Sequence, residues 1–136
     1  MAPVRLTSRP PRRGAVLVEL ALILPILLLL TFGVIEYGWL FLKYNETNDA
    51  ARRGARLGVM PDATSGQVTS AVSNSLNSSG MTDFTCTITP GDVEEVPPGE
   101  TVTVEVDVTH ARLTNFPLLP VPHTLHASVT MAKEGP

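Results

Sequence analysis

The sequence predicts an α+β fold: a long N-terminal helix, a second short helix, and a small three-stranded antiparallel sheet. Three observations point there. Leu20 to Ile35 is a run of 16 uncharged residues, about 24 Å of helix at ~1.5 Å per residue. Val68, Val72 and Leu76 repeat at i, i+4, i+8, the spacing of one helical face. Three later segments alternate apolar and polar residues with the period of a strand.

From Ala15 to Leu42 the only charged residues are Glu19 and Glu36. That length covers a hydrocarbon core of roughly 30 Å with some tilt. Residues 15–42 are therefore read as a transmembrane helix, preceded by a basic leader, 1–14. Pro25 lacks an N–H and is expected to kink the helix, which neighbouring helices tolerate in lipid. Tyr37, Trp39 and Tyr44 cluster at the far end as an aromatic interface belt. Residues 43–60 continue as an amphipathic helix until Pro61 stops it. On it, Ala50, Gly54 and Gly58 fall at i, i+4, i+8, with Ala51 and Ala55 beside them. Such a small-residue stripe admits close packing, either by the sheet of the same chain or by another subunit.

Residues 61–136 form the α+β domain. The second helix lies within 64–80, with Ser65 as a capping candidate and 77–80 as its end. The first strand alternates Phe84, Cys86 and Ile88 with threonines. The second, TVTVEVDVTH, sets Val102, Val104, Val106 and Val108 on one face. The third carries Leu125, Ala127, Val129 and Met131. VEEVPPGE turns between the first two, and a Pro-rich loop bearing Leu118, Leu119 and Val121 precedes the third. One sheet face is apolar, so a helix should cover it.

Charge is segregated within a formal net of −3. The first 14 residues hold Arg5, Arg9, Arg12 and Arg13 and no acid. From Asp62 onward nine acids stand against Arg112 and Lys133. The positive-inside rule places the N-terminus in the cytoplasm and the acidic domain outside it. An acidic exterior argues against nucleic acid as a partner. The single Cys86 excludes an internal disulfide and a cysteine-based zinc site; on the apolar face it is read as a small hydrophobe. No hydrolase elbow, zincin helix, P-loop or dinucleotide fingerprint is present. His110, His123 and His126 are read as surface residues rather than a metal site. The sequence is read as that of a non-enzyme with no metal, no cofactor and no small-molecule substrate.

Glu19 is the residue that needs a cause. An acid at the centre of a spanning helix costs about 2.5–3.5 kcal/mol, and such acids usually have a partner. The apolar run is longer than a secretory h-region and no A-x-A site ends it. An uncleaved single-pass anchor displaying a small β-rich binding module is one reading. A second starts from the spacing: Gly14 closes the basic leader, and Glu19 is the fifth residue after it.

Glycine, four apolar residues and glutamate resemble the class III signal peptide of type IV pilins and pseudopilins. The likeness extends through RRGAVLVELALILPILLLLTFGVIEYGWLF and NDAARRGARLG to the TadE-like minor pseudopilins of the Tad (tight adherence, type IVc) pilus system. Those share the leader, G-A-x-x-V-E, a proline (Pro25), Glu36-Tyr37-Gly38, Ala51-Arg52-Arg53-Gly54-Ala55-Arg56, and a β-rich end near Met131-Ala132-Lys133-Glu134. The resemblance implies a pilin-like fold and cleavage between Gly14 and Ala15 by a prepilin peptidase. It also implies Glu19 as a register device that pairs with the new ammonium of a neighbour's Ala15. The implied partners are the membrane, other pilins and the Tad inner-membrane assembly platform. The implied place is single-pass in the cytoplasmic membrane or in a pilus, supporting pilus biogenesis and adherence.

Overall fold

A computed structural model describes residues 13–114 and 120–135, with the main chain alone at Arg13. Most of the leader, Leu118 and Leu119 lie outside the described residues. Helix α1 spans Arg13–Gly58 and α2 spans Ser65–Ser78. Strands β1 (Phe84–Thr89), β2 (Thr101–Thr109) and β3 (Thr124–Ala132) follow, with a one-turn 3₁₀ helix at Val93–Glu95 between β1 and β2. This is the expected α+β architecture. The chain divides into two compact units between Ile35 and Glu36.

The first unit is the apolar part of α1. Every residue from Gly14 to Thr31 is exposed. The helix runs through Pro25, which has no N–H to offer the carbonyl of Ala21. A helix this long and apolar, near the N-terminus, fits a single-pass membrane protein.

The second unit begins at Glu36. Its sheet is an antiparallel meander in the order β1-β2-β3. Cys86 pairs with Val106 on one side of the central strand, and Val129 pairs with Val104 on the other. Strand periodicity sends Val102, Val104, Val106 and Val108 to one face, where none is more than 1% exposed. Burying each contributes roughly 1.5–3 kcal/mol before chain entropy is counted. Two helices cover this face. From α2 come Val68, Val72 and Leu76, and from α1 come Ala50, Ala51, Ala55 and Val59. Cys86 is half-buried beside the core, where burial pushes its thiol pKa up.

Helix ends follow capping chemistry. The α2 N-cap is Thr64, not Ser65: its hydroxyl accepts from the Gln67 N–H, and the Gln67 side chain accepts from the Thr64 N–H. Ser65 instead donates to the Gly91 carbonyl at 2.7 Å and accepts from the Val93 N–H, tying α2 to the 3₁₀ turn. At the other end Gly80 takes φ +73°. The N–H groups of Gly80 and Met81 reach the carbonyls of Asn77 and Leu76, a Schellman closure. Helix α1 ends at Gly58, two residues short of Met60, because the Met60 N–H turns to Leu57 in a tighter 3₁₀-type bond.

The small residues of α1 set how near the sheet can come. A Cβ on Gly54 would sit 2.6 Å from Val72 Cγ2, whereas one on Gly58 would meet nothing nearer than 3.4 Å. Val72 is fully buried and stiff about χ1. Gly54→Ala should therefore lower stability, the overpacking cost of about 1–3 kcal/mol exceeding the gain of up to about 1 kcal/mol in helix propensity. Gly58→Ala should be neutral or stabilising. Thermal unfolding of the two full-length variants in the same detergent checks the ordering.

Candidate processing and assembly site

Gly14, Ala15 and Glu19 lie in the first turns of α1, and all are exposed. Along a helix Glu19 stands four residues from Ala15, about 6 Å at ~1.5 Å per residue. Nothing lies within 4 Å of a Cβ built on Gly14. The glycine's open surroundings and the outward carboxylate leave both available to another molecule. The small-residue stripe is placed differently. Ala50, Ala51, Gly54, Ala55 and Gly58 are all buried, facing Val68, Val72 and the valine row of β2. The chain's own sheet and α2 fill that stripe.

Glu36 has a site that periodicity did not reveal. Its side chain is fully buried. One carboxylate oxygen accepts from the Leu113 N–H at 3.0 Å. The other accepts from the Thr114 N–H at 2.7 Å and from the Thr114 hydroxyl at 2.5 Å. These are short, charge-assisted bonds of the kind that offsets burial of a carboxylate. They fasten the segment after β2 onto α1. Sequence alone marks Glu36 only as an acid in the apolar stretch and as the first residue of Glu36-Tyr37-Gly38. The signal that would have found it is the one used for Glu19: an acid in an apolar run requires a partner.

The aromatic residues beside it are engaged as well. The Tyr37 hydroxyl donates to the Pro120 carbonyl at 3.0 Å. The Lys43 ammonium lies 4.6 Å from the centre of the Trp39 ring. It donates to Glu46 at 2.9 Å and to the Ser79 carbonyl at 2.6 Å, at the C-terminal end of α2, where a cation complements the helix dipole. Tyr44 is exposed. Trp39, Lys43, Met81, His110 and Leu125 line a cavity of about 250 Å³. Burial holds the His110 imidazole below the usual histidine range, against the opposing pull of Glu36.

Lys133, from the chain's last segment, is a second unforeseen contact. It is 5% exposed. Its ammonium donates to the carbonyls of Val93, at 2.8 Å, and Gly58, at 3.3 Å. The latter is an orphan carbonyl of α1's last turn. The three histidines do not converge, and His110 is not a surface residue as the sequence suggests: it is 5% exposed. His126 Nδ1 bonds Asp107 at 2.8 Å, the His110 main-chain N–H donates to the His123 carbonyl, and no metal-ligating cluster of three occurs among the described residues.

Replacing Glu36 by Gln keeps its shape, removes its charge and turns an amide donor toward three donors. The variant should lose about 2 kcal/mol, the scale of hydrogen bonds to a charged group. Hydrogen exchange should show the Leu113 and Thr114 amides losing protection before the sheet does. Unchanged protection would mean that other contacts hold the segment.

Compared with known proteins, the chain matches no curated protein and no solved structure. Residues 14–56 match the family model described as TadE-like protein. That span runs from the candidate processing glycine through Glu19, Glu36 and the arginines to Arg56. The match shows a TadE-like segment at residues 14–56, and that segment supports a Tad pilus-associated protein.

Proposed function

We propose that the chain is a minor pseudopilin, a structural and assembly subunit of a Tad pilus with no catalytic role, supporting pilus biogenesis and adherence. The observation that carries this reading is the pairing of Gly14 with Glu19 at the head of an exposed apolar helix. A prepilin peptidase cuts between Gly14 and Ala15 on the cytoplasmic side, and the apolar helix stays with the mature chain. The cut frees an ammonium on Ala15. In the assembled state the Glu19 carboxylate of one subunit meets that ammonium on its neighbour. In hydrocarbon a slipped neighbour would leave a charge unpaired, so the pair sets axial register. Its partners are other pilins and pseudopilins and the Tad inner-membrane platform. The four leader arginines hold the N-terminus in the cytoplasm, and the domain stands outside.

Two measurements test this. Intact mass of the membrane-extracted chain, expressed with an active prepilin peptidase, should correspond to a start at Ala15, and a bulky residue at position 14 should block the cut. A full-length mass in that host would favour the uncleaved anchor. In the second, Glu19→Gln should insert and be processed as wild type does. Its co-purification with partner pilins should fall at least about tenfold, since breaking one side of a buried pair costs roughly 3–5 kcal/mol and ~1.4 kcal/mol is a factor of ten. Undiminished association would remove Glu19 from the register role.

A further inference from the structure

We propose that the exposed arginine strip of α1 on one copy of the chain docks on the open polar face of the sheet of a second copy. The proposal rests on the reading of the chain as an assembly subunit and names the contact between folded domains.

The charges of the folded unit are sorted by element. Arg52, Arg53 and Arg56 are exposed on α1, around one small cleft that Asp49 also lines. None of the three guanidiniums has an ion pair or hydrogen bond among the described residues. Other cations of the unit are engaged: Lys43 with Glu46, Lys133 with main-chain carbonyls, and Arg112, half-buried, near the Val121 carbonyl. Past Gly58 the exposed charge is nearly all negative.

The receiving surface is the sheet face that the helices leave open. At its centre, on β2, stand Glu105 and Asp107. Three of their cross-strand neighbours are short: Thr87 and Ser128 flank Glu105, and Thr85 stands on one side of Asp107. On its other side His126 bonds one Asp107 oxygen at 2.8 Å, so Glu105 is the open carboxylate and Asp107 a shared one. The spacings also agree. Arg52 and Arg56 lie one turn apart, about 6 Å along a helix. Glu105 and Asp107 lie two residues apart on one strand, about 6.8 Å. Two guanidiniums can thus address two carboxylates at once, one by the planar fork at Glu105 and one at the Asp107 oxygen that His126 leaves free.

One copy cannot make this contact with itself. The alanine and glycine face of α1 lies against the valine face of its own sheet, so the arginines point away from it. The contact is between copies and joins two different patches. A heterologous contact of that kind leaves a free patch at each end, and it propagates into a filament unless its rotation closes a ring.

The test uses the full chain reconstituted in lipid, with Cys86→Ala to remove the native thiol, or Cys86→Ser if the alanine variant melts early. One tagged copy carries Asp49→Cys, beside the arginines, and a differently tagged copy carries Ser128→Cys, beside Glu105. Oxidation should give the mixed disulfide in preference to either symmetric one, with less at high salt. Arg52→Glu with Arg56→Glu on the first copy should lower the mixed product roughly fivefold, the scale of one or two exposed ion pairs. Glu105→Arg with Asp107→Arg on the second copy should restore it. Symmetric products in excess, or a yield indifferent to charge reversal, would overturn the proposal. Copies that co-purify yet give no mixed disulfide would overturn this contact and leave the assembly reading standing. Copies that neither co-purify nor crosslink would overturn the contact between copies, while the assembly reading stands or falls on the cleavage and Glu19→Gln measurements.

Discussion

The close approach of α1 to the valine face of the sheet and to α2 is the constraint on which the folded unit depends. It is possible because Ala50, Ala51, Gly54, Ala55 and Gly58 present almost no side chain there. At Gly54 the space for even a methyl group is taken by Val72, with Val104 and Val68 close behind. The 61–136 segment, with a single three-stranded sheet, has little apolar surface to bury by itself. Borrowing the last four turns of a long helix supplies the missing layer. The same helix is bare and apolar from Gly14 to Thr31. One element therefore serves as membrane-capable segment and as half of a core, and the residue types change along it accordingly.

Buried charge marks the seams of that arrangement. Glu36, Lys43 and Lys133 are each at most 8% exposed, and each is satisfied by groups distant in sequence. Glu36 takes the segment after β2, Lys43 the end of α2, and Lys133 the 3₁₀ turn together with the end of α1. All three join α1 or its terminus to a later part of the chain. A charge removed from water is costly without such partners. Each of these residues therefore favours one docking of the pieces over displaced ones, where the valines alone would tolerate a shift.

Much of this was legible before any coordinates. Period-2 alternation placed all three strands, and the register follows from the face the valines must occupy. The i, i+4 repeat placed α2 and its end, with the start off by one residue because Thr64 outcompetes Ser65 for the cap. The small-residue stripe was visible, but a stripe does not say what fills it. Only the packing of four valines against α2 and the last turns of α1 decides for the chain's own sheet. Glu36 was visible as an acid in an apolar run, but its partners lie 77 and 78 residues away. Leu113 and Thr114 carry no pattern that singles them out. Lys133 was missed for the same reason: a lone lysine near a chain end reads as solvated, and only the tertiary fold sets it over the α1 terminus. Glu19 stands apart. Its partner lies in another molecule on the proposed reading, so the fold of one chain leaves it bare.

The division of labour along α1 is most directly measured by spin-label accessibility on the full chain in lipid bilayers, in the Cys86→Ala background. Labels at Leu22, Leu27 and Leu30 should collide with oxygen and be shielded from a water-soluble nickel chelate. Labels at Arg52 and Arg53 should meet the nickel chelate freely, and a cysteine at Ala51, which is fully buried, should resist a water-soluble maleimide until the chain is unfolded. Nickel access at Leu22 to Leu30, or rapid maleimide reaction at position 51 in the folded chain, would contradict an account in which one half of the helix is membrane-facing and the other lies in the core.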